Sequence, residues 1–597
     1  MCLKHPRTIR TLILLLLIPQ ASALASSPCA PGTPFNNAFQ ATRVHATCDF
    51  RDAMLKGYSL IYQKEQRIRN SDGSTFRSGR HLNSCIEREY SIEEGETPDT
   101  HLAWIDRVRE CGAAFQDTHL DIQPSQNQPW ISLGFTMIEV EGRYSIKSVA
   151  PRVLLSTMTR EQALKFQIGT EITSIDQRPI GELVQELLPM VPGSSEAYRR
   201  QEALNLVTER AFHYPSSPST WVSLNGEAPV PTRWAADFGP SQDPFSRLAL
   251  EERGYQHTAA LPWLDPALLP EDLQIEPDFA GYSDKDAAVP ATAAARLTGY
   301  RGATTDEPAL RFVRVDSRLD DVDKSYCYLQ LASFADNRVR GTGKRQQDYA
   351  TPMRKFLRLC KKADLPLVLD IRTNPGGYLD LGKDTLAAIT PRNQRINTRS
   401  AWAYREDEVY REVDGAYFEG EYWGGNTIEV SPRERFDRKV GGYSGKVLAL
   451  ITPYCLSSCD RLAAFLKTSG RATLIGTPTN GTGAGFQDWT DPATGRLHSD
   501  WQDSAGILTA QIPDQLFGAQ AADAAPIMSG KPKGFLPWIK WLFQGRPEAI
   551  EYLPMADYES TSLLENQPTQ PDLFYAPQVS DLRRGQAGWI DLIQSQL

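Results

Sequence analysis

Residues 448–483 read LALITPYCLSSCDRLAAFLKTSGRATLIGTPTNGTG. An unbroken apolar run ("KVLALIT", from Lys446) passes through a short loop into an amphipathic helical segment that begins at the serines. A second apolar run, "ATLIG", follows Gly470. Apolar strands with little polar alternation, set on either side of an amphipathic helix, are the pattern of a sheet covered by helices. Ser457 and Ser458 fall where that helix starts, between Cys455 and Cys459. A hydroxyl at such a point lies near the positive end of the helix dipole, and the N–H of the next residue has no intrahelical acceptor. The plain alternative is a serine that caps its own helix.

The same grammar appears upstream in "LPLVLDIRTNPGGYLDLG", residues 365–382, where a buried strand runs into Gly376 and Gly377 and then into a helix. Paired glycines at a strand end let backbone N–H groups face outward with no side chain in the way, which is how an oxyanion hole is made; an ordinary strand-to-helix turn is the other reading. "RFVRVDS" and "YCYLQLASF" read as further strands, and "DYATPMRKFLRLCKKA" as a helix. From Leu310 onward the chain is therefore expected to be α/β. No fixed-period repeat is visible.

The first residues, MCLKHPRTIRTLILLLLIPQASALASS, place Lys4, Arg7 and Arg10 before an apolar run and end it in Ala23-Leu24-Ala25. That is the form of a secretory signal peptide, residues 1–25, with an apolar run too short to span a bilayer. Its removal takes the formal net charge from −9 to −12 and leaves eight of the nine cysteines. An acidic chain offers no phosphate-binding surface, so no nucleic-acid partner is expected, nor any spanning segment after cleavage. An even cysteine count in an exported chain favours disulfides, and neighbours group as 29/48, 85/111, 327/360 and 455/459. Cys455 and Cys459 are expected to be bridged or separately paired rather than to act as a catalytic thiol. No metal spacing is present, and no cofactor is implied.

Between these ends the texture changes twice. Phe35 to Asn70 and Leu102 to Phe115 carry helical apolar spacing, giving a helical N-terminal region at 26–127. Residues 128–235 are β-rich, with a turn at "EGR" and a helix-like "GELVQELL". Residues 236–300 are rich in Pro, Ala and Asp and read as a linker or wrapping insertion. Residues 301–597 hold the α/β core, interrupted at 401–425 and 520–554. The aromatic run "GFLPWIKWLFQG", Gly534 to Gly545, reads as a partly buried helix, with a membrane-surface helix or a lid as the alternative.

"YCYLQLASF", "VLDIRTNPGG" and the stretch 448–483, taken in order, resemble the C-terminal-processing, or tail-specific, serine protease superfamily. The resemblance covers roughly Asp117 to Asp572. It implies a ClpP/crotonase-like spiral core, with a nucleophile three residues before the acidic residue of the helix. That residue is Asp460, so the nucleophile would be Ser457. Members with a Ser/Lys dyad carry lysine 25 positions further on, in "TxGKG"; here the segment is "TNGTG" and the position is Thr482, which cannot act as a general base. A His/Glu branch, which includes the tricorn core protease and the chlamydial protease-like activity factor, is similar in two other places. "FQDTHLDI" resembles its D-x-H motif and would make His119 the base, and "LLENQPTQPD" resembles its glutamate segment, with Pro568 and Thr569 as departures, and would supply Glu565.

A histidine, with a reference pKa of about 6.5, can take the serine proton near neutrality and return it to the leaving amine. The oxyanion would be received by N–H groups of Gly376, Gly377 and Ser458. The β-rich domain resembles a PDZ module, which implies a carboxylate-binding loop at Leu133, Gly134 and Phe135. The expectation is thus a periplasmic or secreted serine endopeptidase acting on protein or peptide substrates, and a homo-oligomer is one arrangement open to it. A non-catalytic relative that keeps the fold to bind a ligand or act as a scaffold is the competing reading.

Overall fold

The computed structural model describes residues 27–57, 64–65, 67–118, 120, 122–123, 128–238, 244–256, 325–334, 350–377, 379–391, 442–483, 566–583 and 586–597. It also describes the backbone of short strands at 298–300, 310–315, 398–405, 422–424, 428–430, 509–510 and 551–556. The signal-peptide segment, His119, Glu565 and the aromatic run 534–545 lie outside the described residues.

The N-terminal region is helical, as its spacing predicts, with α1 (Ala38–Gly57), α2 (Ser78–Ser91) and α3 (Pro98–Ala113). Thr97 starts α3 with a reciprocal capping box with Thr100, and Pro98 fits the first turn, where its missing N–H costs nothing. Cys29–Cys48 and Cys85–Cys111 staple this region. His81 lies close enough to that second pair to form a group of potential metal ligands, but the two sulfurs are already joined to each other.

The β-rich domain begins with β1 (Trp130–Ser132), β2 (Phe135–Val140) and β3 (Arg143–Val149). The "EGR" turn joins β2 to β3 through Glu141 and Gly142, both at positive φ, as a two-residue hairpin requires. Next come α4 (Pro151–Thr157), β4 (Ile172–Ile175), α5 (Ile180–Leu187), α6 (Glu196–Thr208), β5 (Ser219–Leu224), β6 (Val230–Arg233) and β7 (Ala235–Asp237). Ile131, Leu133, Phe135, Met137, Ile172, Val184, Leu204 and Val222 form one buried cluster.

The start of the segment read as a linker or wrapping insertion, 236–300, is packed against the domain before it. Residues 244–252 form a helix, and Phe238, Ala249, Leu250 and Tyr255 are buried in the same cluster. Arg253 ties the helix to Asp99 on α3 at 2.6 Å. Four apolar side chains among prolines and charges were enough to dock a turn-rich stretch.

His213, between α6 and β5, joins two elements. Its Nδ1 lies 3.2 Å from Asp106 on α3, its Nε2 lies 3.2 Å from Glu186 on α5, and its backbone N–H donates to Asp106 at 2.7 Å. The hydrogen bond to Asp106 raises its pKa, against burial and the charge of Arg210. Arg178 and His213 hold Glu186 below its ordinary value. A raised histidine pKa means that the clamp contributes fully below the unfolded value of about 6.5 and is lost as pH rises through the folded value. His213→Asn should therefore remove a fall in urea midpoint that the wild type shows as pH rises from 6 to 8.

The core sheet has seven strands: β8 (Thr298–Tyr300), β9 (Leu310–Val315), β10 (Tyr326–Leu331), β11 (Leu367–Asp370), β12 (Val447–Ile451), β13 (Thr473–Gly476) and β14 (Leu573–Phe574), in that spatial order. Pairing is antiparallel from β8 to β10 and parallel from β10 to β14. Every residue of β10, β11 and β12 is buried, which explains their unbroken apolar runs.

Alternate residues face opposite layers. Leu329, Leu369 and Ala449 meet Met353 of α7 (Ala350–Lys362) and Leu462 of α9 (Ser458–Thr468). The chain between β11 and β12 forms α8 (Leu379–Ile389) on the same layer. Tyr328, Val368 and Leu448 meet Trp589 and Ile593 of α10 (Ala587–Gln596) on the other face. Cys327–Cys360 ties β10 to α7, and Cys455–Cys459 closes the loop before α9, so all four bridges join the cysteines that group as neighbours in sequence.

Candidate active site

Both glycine- and serine-bearing loops leave the same end of the parallel strands, where ligands bind in open α/β sheets. After β11, Arg372 folds back on Asp370 with two hydrogen bonds, at 3.0 and 2.7 Å, and its guanidinium lies 4.7 Å over the Trp589 ring. This buried pair fixes the direction in which residues 373–377 depart.

Asn374 then organises the turn. Its side-chain oxygen accepts from Gly376 N–H at 2.8 Å, and its backbone carbonyl accepts from Leu456 N–H at 3.1 Å. Gly376 at φ +87 presses against the serine loop: a Cβ there would stand 2.7 Å from both Leu456 O and Ser457 Cβ. Gly376→Ala should therefore push the loop away and lower labelling of Ser457 by an active-site probe at least tenfold, on the scale that misplacement costs catalysis. Equal labelling rates in wild type and variant would contradict this.

Ser457 stands at the N-cap position of α9 with φ 52 and ψ −122, and its side chain makes no capping bond. Capping residues normally have extended backbones and a side-chain oxygen on the first turn. This serine has neither, so the plain capping alternative does not describe it. Backbone strain of this kind costs about 1–3 kcal/mol and persists only where the surroundings impose it. The imposing contacts are Ser457 N–H donating to Thr482 O at 2.9 Å, Gly376 against its Cβ, and the Cys455–Cys459 bridge around it. With both sulfurs bridged, neither cysteine is a thiol nucleophile.

The expected oxyanion donors divide. Gly376 N–H is committed to Asn374, so it leaves the set and Gly376 serves instead as the close-packing point. Ser458 is the first residue of α9, so its N–H has no intrahelical acceptor, and the Cβ position of Gly376 falls 3.1 Å from that nitrogen. Gly377, at φ +127, aligns beside Phe334 as a parallel bridge whose hydrogen bond, at 2.7 Å, runs from Phe334 N–H to Gly376 O, leaving Gly377 N–H unused by it.

Asp460, buried in the first turn of α9, anchors the loop that supports Ser457. Its carboxylate accepts from Thr479 Oγ1 at 2.5 Å, Gly481 N–H at 2.5 Å and Thr569 Oγ1 at 3.4 Å. Residues 566–569 join the same loop: Asn566 N–H donates to Gly481 O at 2.7 Å, and Thr569 N–H to Thr479 Oγ1 at 2.7 Å.

Thr482 is fully buried. Its hydroxyl contacts Asn480 Oδ1 and, at 3.2 Å, the hydroxyl of Ser194, which reaches the Gln116 carbonyl at 3.0 Å. Thus the chain beside Glu565 meets the loop at 480–482 directly, and the chain just before His119 is linked to it through Ser194, while His119 and Glu565 themselves lie outside the described residues.

Leu133, Gly134 and Phe135 do not form the expected carboxylate loop. Leu133 N–H donates to Thr208 O and Gly134 N–H to Ser132 Oγ, each at 2.9 Å, and the side chains of Leu133 and Phe135 are buried. Gln201 on α6 also donates to Met137 O on β2 at 2.9 Å. A peptide carboxylate would find two of its three amides already satisfied.

The same helix α6 touches the serine loop through Tyr454, whose hydroxyl accepts from Asn205 at 3.1 Å and whose ring meets Tyr198 edge-on. Burial raises the Tyr454 pKa well above its ordinary value, with Glu202 adding to the shift, and burial likewise raises Glu202. Asn374, Ser194 and this α6 contact escaped the sequence reading. Asn374 stands among turn-forming residues in "TNPGG", and Ser194 in "VPGSSEAY" belongs to no motif.

A strained, uncapped serine between a double-glycine turn and a buried support loop is an arrangement compatible with a serine hydrolase. Residues 325–490 match the profile of peptidase family S41, and residues 129–224 match that of a PDZ domain. Among solved structures the chain is similar to mature CPAF, with a TM-score of 0.61 at 14% identity over 94% of this chain and 97% of that one. It is similar too to mature CPAF complexed with lactacystin, with a TM-score of 0.60 at 15% identity over 94% and 98%. No curated protein sequence matches the chain. Residues 325–490 are thus a serine peptidase domain of family S41, set beside a PDZ domain and a helical N-terminal region in a chain that shares its fold with CPAF.

Proposed function

We propose that the protein is an exported serine endopeptidase with a Ser457–His119–Glu565 arrangement. The observation that supports this reading is the convergence around 480–482: Ser457 N–H and Asn566 N–H bond that loop directly, and Ser194 bridges it to the Gln116 carbonyl just before His119. Thr482 at the lysine position of the Ser/Lys branch leaves the proton acceptor to come from elsewhere, and the link through Ser194 to Gln116 supports the D-x-H segment as its source. Four disulfides suit an oxidising compartment and so support export.

Ser457 Oγ attacks the peptide carbonyl carbon as its proton passes to the His119 imidazole. N–H groups of Gly377 and Ser458 receive the developing oxyanion. The C–N bond breaks as His119 returns the proton to the leaving amine, and water repeats the sequence on the acyl-enzyme. Glu565 holds the imidazole tautomer and balances the imidazolium. The PDZ domain, resting on Tyr454 beside the nucleophile, binds or gates the substrate.

A fluorophosphonate probe tests the core of this. Covalent labelling of the processed protein at Ser457 supports an enzyme, whereas a folded protein that takes no label supports a binding or scaffold role. Lactacystin, found in complex with CPAF, is a second probe for competition with that label.

A further inference from the structure

Thr482 sits where the other branch of the superfamily places its base, yet its side chain is fully buried and hydrogen-bonded. Two hydroxyl hydrogens, those of Thr482 and Ser194, have to serve three contacts: Thr482 with Asn480, Thr482 with Ser194, and Ser194 with Gln116 O. A hydroxyl donates only once. Meanwhile Asn480 Nδ2 is buried with no hydrogen-bond partner among the described residues.

Turning the Asn480 amide supplies the missing donor and leaves a carbonyl oxygen, rather than an N–H, at the unpartnered position; an amide's orientation is set by its network. Nδ2 then donates to Thr482 Oγ1, Thr482 donates to Ser194 Oγ, and Ser194 donates to Gln116 O. Every contact is used and all bonds run one way. The far end is held independently: Lys64, itself fully buried, reaches the same Gln116 carbonyl at 3.4 Å and Asp117 at 3.5 Å. The near end is the nucleophile, since Ser457 N–H bonds the Thr482 carbonyl.

We infer that Ser194 and Thr482 are positioning residues that set the spacing between the nucleophile loop and the D-x-H loop. The hydroxyl pair occupies the place of the absent lysine and does not transfer the proton. This rests on the proposed function, because spacing matters only if Ser457 reacts with help from the D-x-H segment. Ser194 comes from the start of the PDZ domain's α6, so the pair also makes the PDZ domain part of the catalytic framework.

The test uses full-length processed protein, with Ser194→Ala, Thr482→Val, Thr482→Ser and the Ser194→Ala/Thr482→Val double variant. Fluorophosphonate labelling rate and kcat should each fall roughly 10- to 100-fold in the two single variants, with KM within about twofold of wild type. The double variant should be no slower than the worse single, as expected for two links of one chain. Thr482→Ser, which keeps the hydroxyl, should recover most of the rate. Wild-type rates in Ser194→Ala, multiplying effects in the double variant, or Thr482→Ser as slow as Thr482→Val would each overturn the inference. These failures are separable from failure of the proposed function, which would appear as no labelling of the wild type.

Discussion

Replacing Ser457 by alanine is expected to lower peptide hydrolysis by roughly 10⁴- to 10⁶-fold and to abolish covalent labelling, the scale on which loss of a serine nucleophile is felt. The fold should be indifferent. Among the described residues the Ser457 hydroxyl has no hydrogen-bond partner and does not cap its helix, so its removal breaks no structural bond. The strained φ of 52 is unchanged, because alanine and serine meet the same Cβ constraint. A thermal midpoint within a few degrees of wild type, with no turnover, is the expected pair of results. Residual labelling at another residue would move the nucleophile elsewhere.

The second large effect concerns His119. His119→Ala should reduce kcat by at least about 10³-fold, since the serine then has no acceptor and Thr482 cannot substitute. In the wild type, kcat/KM should rise with pH through the histidine range near 6.5 and level off above it, because the neutral imidazole is the active form. The direction is diagnostic. A lysine base would keep activity climbing to well above neutrality, and a cysteine nucleophile would require the Cys455–Cys459 bridge to be open. Full activity in His119→Ala would reject the arrangement while leaving the peptidase fold intact.

The core was legible in the sequence because its signals are local. β10, β11 and β12 are buried on both faces, so their apolar runs carry no alternation, and the helices between them show the opposite pattern. The serine pair stood out through its setting between a strand and a helix, and only the family resemblance singled out Ser457. The disulfides followed from sequence neighbourhood, because each closes a short loop. What the sequence hid is contact across distance. Ser194 and Thr482 meet 288 positions apart, and nothing in the spacing of either announces the other. Nor can spacing say which way an amide turns, and for that reason Gly376 looked like an oxyanion donor and Leu133–Gly134 like a carboxylate cradle. The docked helix at 244–252 was masked by the prolines around it.

The Cys455–Cys459 bridge encloses the reactive serine in a ring little longer than one helical turn. A ring that small removes little freedom from the unfolded chain, so its contribution to overall stability is minor. Its effect is one of timing. Until those two thiols are oxidised the first turn of α9 lacks its clasp. Under the proposed export, proteolytic competence would be coupled to arrival in an oxidising space.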